Sequence, residues 1–95
     1  MDRKVIPRIH MRHVTIYTTP VCPHCVRAKE LLTKKGAEIR EVDVLMDGRA
    51  RDEMVQKSGG RWTVPQIFIG ETHVGGSDDL HALERAGELD PLLSK

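Results

Sequence analysis

The stretch HVTIYTTPVCPHCVRAKELLTKKG, residues 13–36, joins two structural patterns through a pair of cysteines. His13 to Thr18 alternates and is rich in β-branched residues, which predicts a strand. Pro23 to Lys35 is predicted as an amphipathic helix, with proline near its first position and Gly36 at its stop. Its apolar side is formed by Val26, Ala28, Leu31 and Leu32. The cysteines therefore lie where a strand ends and a helix begins.

A second strand and a second helix follow. Ala37–Leu45 has the composition of a strand, and its place after a helix supports this assignment. The next segment is charged with a modest apolar stripe, and it predicts a helix that begins at Asp47 and ends at Gly59. A strand, a helix and a strand within about 30 residues imply a right-handed crossover. The first two strands are therefore expected to be parallel neighbours.

The last third of the chain contains a hairpin and a third helix. Gln66–Ile69 and Thr72–Val74 are predicted as antiparallel strands because only Gly-Glu separates them. Ser77–Ala86 begins with SDD, a good N-cap with an acidic first turn, and predicts a helix. In a last turn, Leu89–Leu93, the final two leucines are expected to lie under the core. The result is an α/β fold of order β-α-β-α-β-β-α, a four-stranded mixed sheet with flanking helices.

Composition indicates one domain without a nucleic-acid-binding face. The 95 residues are 39% hydrophobic, enough to bury a core without a disulfide or a metal. Residues 13–95 are predicted to form this domain, and residues 1–12, which match no element, a flexible N-terminal arm. The net charge is +1, the basic residues are dispersed, and there is one Phe, one Tyr and one Trp. We therefore predict neither a basic surface for nucleic acid nor a set of aromatic side chains on which bases could stack.

No signal for export or membrane insertion is readable in the chain. Its first residues, MDRKVIPRIHMRH, lack the apolar run of about 7–15 residues of a secretory signal. No stretch approaches the roughly 18 apolar residues of a membrane span. We therefore expect a cytoplasmic protein. In that reducing compartment, a close cysteine pair is more often catalytic or metal-binding than structural.

Cys22 and Cys25, the only cysteines, are separated by Pro23 and His24. A bridge between them would close a very small loop and stabilise the fold little. A helix N-terminus stabilises a thiolate through its dipole and its free N–H groups. Cys22, at the N-cap or just before it, is therefore predicted to attack a substrate disulfide. Cys25, one turn inside, is predicted to resolve the mixed disulfide or to remain a thiol while another thiol does so.

Two simpler interpretations compete with this chemistry. A CxxC pair also occurs in zinc sites, but structural zinc needs four ligands and the chain has no second CxxC. His10 and His13 have a suitable spacing but lie on the arm and at the start of a strand, so no metal is expected. His24 could be an ordinary solvated side chain. A partly protonated imidazole beside Cys22 would instead favour the thiolate and make the disulfide more oxidising.

Three motifs, in this order and spacing, resemble the glutaredoxin family: IYTTPVCPHC, TVPQIF at Thr63–Phe68 and GGSDDLHAL at Gly75–Leu83. The resemblance covers about Val14–Leu93 and is greatest to the bacterial two-cysteine class. It implies a thioredoxin-like fold, in agreement with the element order above. It also implies a monomeric glutathione-dependent thiol–disulfide oxidoreductase, with glutathione as co-substrate. Its protein partners would be disulfide-containing or glutathionylated proteins.

The resemblance further implies a glutathione site. Thr63-Val64-Pro65 matches the family loop in which the proline is cis, and Val64 N–H and C=O would pair with the cysteine of glutathione as an added strand does. Gly76-Ser77-Asp78 matches the γ-glutamyl site, where backbone N–H groups receive the carboxylate and Asp78 the ammonium. Without the resemblance, Pro65 is an ordinary turn proline and SDD an ordinary helix cap.

Two positions depart from the family pattern. Thr19 stands where the family often has a lysine for the glycine carboxylate of glutathione, and Arg51 on the second helix is a candidate replacement. His24 stands where the family most often has tyrosine. A glutathione-independent thioredoxin-like disulfide oxidoreductase and an iron–sulfur cluster carrier are the alternatives. Pro23 makes the cysteine loop stiff, which argues against the cluster carrier.

Overall fold

The computed structural model describes residues 11–94 of the chain. Its elements in chain order are β1 (Val14–Thr18), α1 (Pro23–Lys34), β2 (Ile39–Asp43), α2 (Gly48–Lys57), β3 (Gln66–Ile69), β4 (Thr72–Gly75), α3 (Ser77–Arg85) and α4 (Leu89–Leu93). They form a four-stranded sheet of order β2-β1-β3-β4. The β1–β2 pair is parallel and the other two pairs are antiparallel, which confirms the predicted thioredoxin-like mixed sheet.

Alternation along the strands gives each face of the sheet its own apolar layer. On one face, Tyr17 and Phe68 pack edge to face, with ring centroids 5.8 Å apart, in a cluster with Met54 of α2. The opposite face is covered by α1, α3 and α4. Its fully buried strand residues are Val14, Ile16, Ile67 and Ile69. The helices that carry the site motifs, α1 and α3, therefore share one side of the sheet.

The buried face of α1 is narrower than the sequence predicts. Cys25, Ala28 and Leu32 are buried and Leu31 is half-buried, but Val26 is exposed. The prediction for Val26 is wrong because successive helical residues turn by about 100°, so Val26 points away from the face that Cys25 and Ala28 share.

The second strand is shorter at both ends than the predicted Ala37–Leu45. At its start, the Ala37 N–H donates to the Leu32 carbonyl and closes the end of α1. At its end, the Asp43 carboxylate accepts from the Leu45 N–H at 2.8 Å, which turns the chain out of the sheet. Local hydrogen bonds of this kind compete with the sheet ladder.

The third helix starts at Ser77 as predicted, but its N-cap is Gly76 and not the SDD segment. Ser77 is buried as the first helical residue, and the Gly76 N–H donates to Oδ2 of Asp79 at 2.9 Å. In the last turn Leu93 is buried as expected, whereas Leu92 is only half-buried.

The predicted arm, residues 1–12, lies outside the described residues except for its last two. Met11 packs against the core, and the Arg12 N–H donates to the Leu93 carbonyl at 2.8 Å. Across residues 11–94, every helix falls short of the length and hydropathy that a membrane span requires.

Candidate active site

The two thiols lie at the start of α1, directly after the β1 strand and its loop. Cys22 is the N-cap residue, with an extended backbone, and Pro23 is the first helical residue. The Sγ atom of Cys22 accepts a hydrogen bond from the Cys25 backbone N–H at 3.1 Å. A first-turn N–H therefore donates to this sulfur, and such donors stabilise a thiolate at a helix N-terminus.

Cys25 is the more enclosed of the two. It is 2% exposed, against 9% for Cys22, and both are free thiols. Burial, followed by the hydrogen bond to Cys22, raises the pKa of the Cys25 thiol to about 12, against the opposing effects of the Thr19 backbone and the Lys29 charge. Cys25 is therefore a protonated thiol at neutral pH, held beside the outer sulfur. The predicted placement, one thiol at the cap and one turn inside, is confirmed.

A groove of about 330 Å³ lies beside the first turn of α1. Three segments that are distant in sequence form it: α1, the loop before β3, and the N-terminus of α3. The lining residues are His24, Arg61, Thr63, Val64, Pro65, Gly76, Ser77, Asp78 and Asp79. The structure thus brings both predicted glutathione-binding segments together with His24, which projects from between the cysteines.

The loop before β3 passes close to the start of α3. The Val64–Pro65 peptide bond is cis, as the family resemblance implies. A Cβ atom added to Gly76 would lie 3.6 Å from the Pro65 carbonyl oxygen, and one added to Gly75 would run into the Asp79 carboxylate. Gly75 also has a φ of +114°, which side chains rarely tolerate. A side chain at Gly75 would therefore collide with Asp79 and strain the backbone, whereas a Cβ at Gly76 would make only an ordinary contact with the loop wall.

The charged groups of the groove come from the first turn of α3 and from Arg61 in the loop before β3. Asp79 accepts from the Gly76 N–H, and its Oδ2 lies 3.5 Å from Nη1 of Arg61. Asp78, in the same first turn, is exposed in the groove. The groove therefore presents a carboxylate, a guanidinium and helix N-terminal N–H groups within a small space. That set suits a ligand with both an ammonium and a carboxylate group.

Arg61 lines the groove but was not predicted from the sequence. The predicted residue, Arg51, is half-buried on α2, and its Nε donates to the Val44 carbonyl at 3.4 Å. Arg51 is not among the residues that line the groove, whereas Arg61 is. The one available signal was the position of Arg61 two residues before Thr63. A role for Arg51 in glutathione binding stays a prediction.

Fold and cysteine pair together define a thiol oxidoreductase of the thioredoxin-like class. The family model for Glutaredoxin matches residues 14–74. A glutaredoxin of Pseudomonas aeruginosa is 58% identical over 84 residues, which are 88% of this chain and 99% of that protein. The chain belongs to the glutaredoxin family, and the resemblance seen in its motifs is confirmed.

Solved structures agree with this assignment. The solution structure of a glutaredoxin from Brucella melitensis matches with a TM-score of 0.77 and 56% identity, covering 90% of this chain and 91% of that one. The crystal structure of a buckwheat glutaredoxin–glutathione complex matches with a TM-score of 0.76 and 30% identity, covering 90% of this chain and 80% of that one.

Proposed function

We propose that this protein is a dithiol glutaredoxin, which uses glutathione to reduce disulfides and protein–glutathione mixed disulfides through its Cys-Pro-His-Cys site. The observation that carries the proposal is the groove beside the thiols, with Asp78 on its α3 wall and with Arg61 and Val64 on its loop wall. Its charges match the zwitterionic γ-glutamyl end of glutathione. The buckwheat relative, whose structure is that of a glutathione complex, supports the same ligand.

Reaction with a glutathionylated protein begins at Cys22. Its thiolate attacks the glutathione sulfur, the mixed disulfide breaks, and the substrate leaves as a thiolate that takes up a proton. A second glutathione, as thiolate, then attacks the sulfur of the Cys22-bound glutathione. This step releases oxidised glutathione and returns the Cys22 thiolate. Cys25 stays a thiol throughout, which its raised pKa favours.

Reaction with a protein disulfide uses both cysteines. Cys22 attacks one substrate sulfur, and the other leaves as a thiolate. Cys25 then loses its proton, attacks the Cys22 sulfur, and forms the Cys22–Cys25 disulfide as the reduced substrate departs. Two glutathione molecules return the pair to dithiols and become one oxidised glutathione. The side-chain hydrogen bond between the Cys25 thiol and Cys22, which helps to raise the pKa of Cys25, supports this intramolecular step.

Each wall of the groove has a separate role in holding glutathione. Thr63, Val64 and Pro65 line one wall, where the Val64 backbone pairs with the cysteine of glutathione as an added strand would. On the other wall, backbone N–H groups at the start of α3 receive the γ-glutamyl carboxylate, and Asp78 binds its ammonium. Pro23 keeps the cysteine loop stiff, and His24 adjusts the redox balance of the pair. We propose that the enzyme acts as a monomer in the cytoplasm.

A coupled assay tests the proposal against its alternatives. The protein is given a glutathionylated peptide, glutathione, glutathione reductase and NADPH, and saturable NADPH consumption is expected. A glutathione-independent thioredoxin-like enzyme would show no such turnover but would reduce a protein disulfide with dithiothreitol. A brown dimer after anaerobic reconstitution with iron and sulfide would instead favour the cluster carrier.

A further inference from the structure

A hydrogen-bonded chain reaches the groove from behind its loop wall. Gln66 follows Pro65 directly, and it is fully buried. Its Nε2 donates to the Thr63 carbonyl at 3.0 Å and lies 3.2 Å from Thr63 Oγ1. Its Oε1 lies 2.7 Å from Nε2 of His73 on β4. The side chains of His73 and Gln66 thus connect β4 to Thr63, which lines the groove.

The direction of each bond in this chain follows from the chemistry of its groups. A carbonyl oxygen can only accept, so the Gln66 atom that faces the Thr63 carbonyl must be the amide nitrogen. The amide oxygen then faces His73, and it too can only accept. His73 Nε2 must therefore carry a proton and donate. Without that donor, the buried Gln66 oxygen would lose its partner, which is costly for a group removed from water.

The sheet holds His73 where it can make this bond. Phe68 on β3 pairs across the ladder with His73, and the two rings stack with centroids 4.8 Å apart. Because side chains alternate along a strand, Gln66 shares the face of Phe68 and lies diagonal to His73. Burial, and then the charge of Arg61, lowers the pKa of His73, while Asp79 opposes the shift. His73 therefore also lies near the charged residues of the groove.

We infer that His73 is a positioning residue for glutathione binding, which acts through Gln66 to hold Thr63 and the adjoining Val64 backbone in the orientation that the ligand requires. The inference rests on the proposed function and names a residue outside the groove that supports it. His73 does not line the groove, so its effect is on the affinity for glutathione and not on the reactivity of the thiols.

Two substitutions of His73 separate the hydrogen bond from the packing. His73→Phe keeps a ring stacked on Phe68 but removes the donor. His73→Gln replaces the donor with an amide N–H. A matched control is His13→Phe, since His13 is an exposed histidine directly before β1 and does not line the groove. For each variant, KM and kcat are measured with a glutathionylated peptide. The rate of Cys22 with a small aromatic disulfide that contains no glutathione is measured in parallel.

The expected result in His73→Phe is a KM increase of about three- to tenfold with little change in kcat. In His73→Gln, KM should return close to the value of the unsubstituted protein. The rate with the aromatic disulfide should stay within about twofold of the unsubstituted protein, as should every parameter of His13→Phe. Should His73→Phe fail to fold, His73→Met, which fills the space without a donor, takes its place.

An unchanged KM in the donor-free variant would overturn the role of His73 while leaving the proposed function intact. So would an equal loss in both His73 variants, or a matching loss with the aromatic disulfide, because these outcomes indicate a general structural effect. If the unsubstituted protein itself shows no saturable turnover with the glutathionylated peptide, the proposed function has failed, and the inference fails with it.

Discussion

Two helix N-termini meet at the candidate site, and their first turns differ in charge. The α1 helix is capped by Cys22 and has no acidic residue in its first turn. The α3 helix is capped by Gly76 and carries Asp78 and Asp79. In α1 a first-turn N–H donates to sulfur, whereas in α3 the N–H of the cap residue donates to the Asp79 carboxylate.

This difference suits the two helix N-termini to different roles. A thiolate gains most from helix donors when no carboxylate competes for them or repels the sulfur charge. Acidic residues at the start of α3 are stabilised by the helix dipole. Arg61 balances the charge of Asp79, and Asp78 is left to bind an ammonium group. The α1 terminus is therefore suited to chemistry, and the α3 terminus to recognition. Substitutions on the two termini should affect different kinetic constants.

The largest effect is expected at the outer thiol. Cys22→Ser should lower turnover of a glutathionylated peptide by at least about a thousandfold, because the nucleophile is lost. Cys25→Ser should keep that turnover but lose reduction of a protein disulfide, which needs the resolving thiol. Steady-state assays with both substrates check this pair, and a Cys25→Ser enzyme inactive on the peptide would contradict the assignment of roles.

The inner thiol should resist alkylation while the protein is folded. A pKa raised from 9.0 to about 12 lowers the thiolate fraction of Cys25 at pH 7 by about a thousandfold. Iodoacetamide should therefore modify Cys22 alone, and Cys25 only after unfolding. Because a thiol ionises as pH rises, its alkylation rate should increase about tenfold per pH unit below that pKa. Mass spectrometry of the product checks this, and rapid double labelling at pH 7 would refute it.

At the recognition terminus, Asp78→Asn should raise KM for a glutathionylated peptide by about tenfold, through loss of a charge-assisted hydrogen bond. The kcat should change little. The matched test uses a peptide glutathionylated with glutathione that lacks its α-amino group. With this substrate, Asp78→Asn and the unsubstituted protein should have the same KM. Asp52→Asn, on the exposed surface of α2, is the control. Equal losses with both forms of glutathione would show that Asp78 does not bind the ammonium.

A smaller effect should distinguish the two arginines. Arg61→Met should raise KM about three- to fivefold, since its guanidinium lines the groove, while Arg51→Met should change it less. A substrate lacking the glycine of glutathione shows whether either residue holds the glycine carboxylate. A larger KM increase in Arg51→Met than in Arg61→Met would instead support Arg51 as the residue that binds the glycine carboxylate.

The smallest effect is expected at His24, which is exposed between the cysteines. His24→Tyr removes the imidazole beside Cys22 and should lower the reduction potential of the pair by about 10–30 mV. Equilibration in a glutathione redox buffer measures the potential. An unchanged value would make the histidine a bystander.

The order of elements and the position of the cysteines could be predicted from local sequence. Proline near the start of α1, glycine after its end, and the alternating hairpin strands are signals that depend on neighbouring residues only. The predicted end of β2 and the predicted cap of α3 were wrong, because nearby groups compete for the same backbone hydrogen bonds. Leu45 left the sheet because Asp43 bound its N–H, and Gly76 became the cap of α3 while Ser77 was buried.

The sequence by itself determined the class of chemistry. A CxxC pair at the start of a helix, in a chain without a second CxxC, predicts thiol–disulfide exchange and not a structural zinc site. Only the tertiary structure decided which residues share the groove. Arg61, Asp79 and the chain from His73 through Gln66 to Thr63 are brought together by strand pairing and by the approach of the β3 loop to α3. Contacts between residues far apart in sequence leave no local pattern. They depend on how the whole sheet packs.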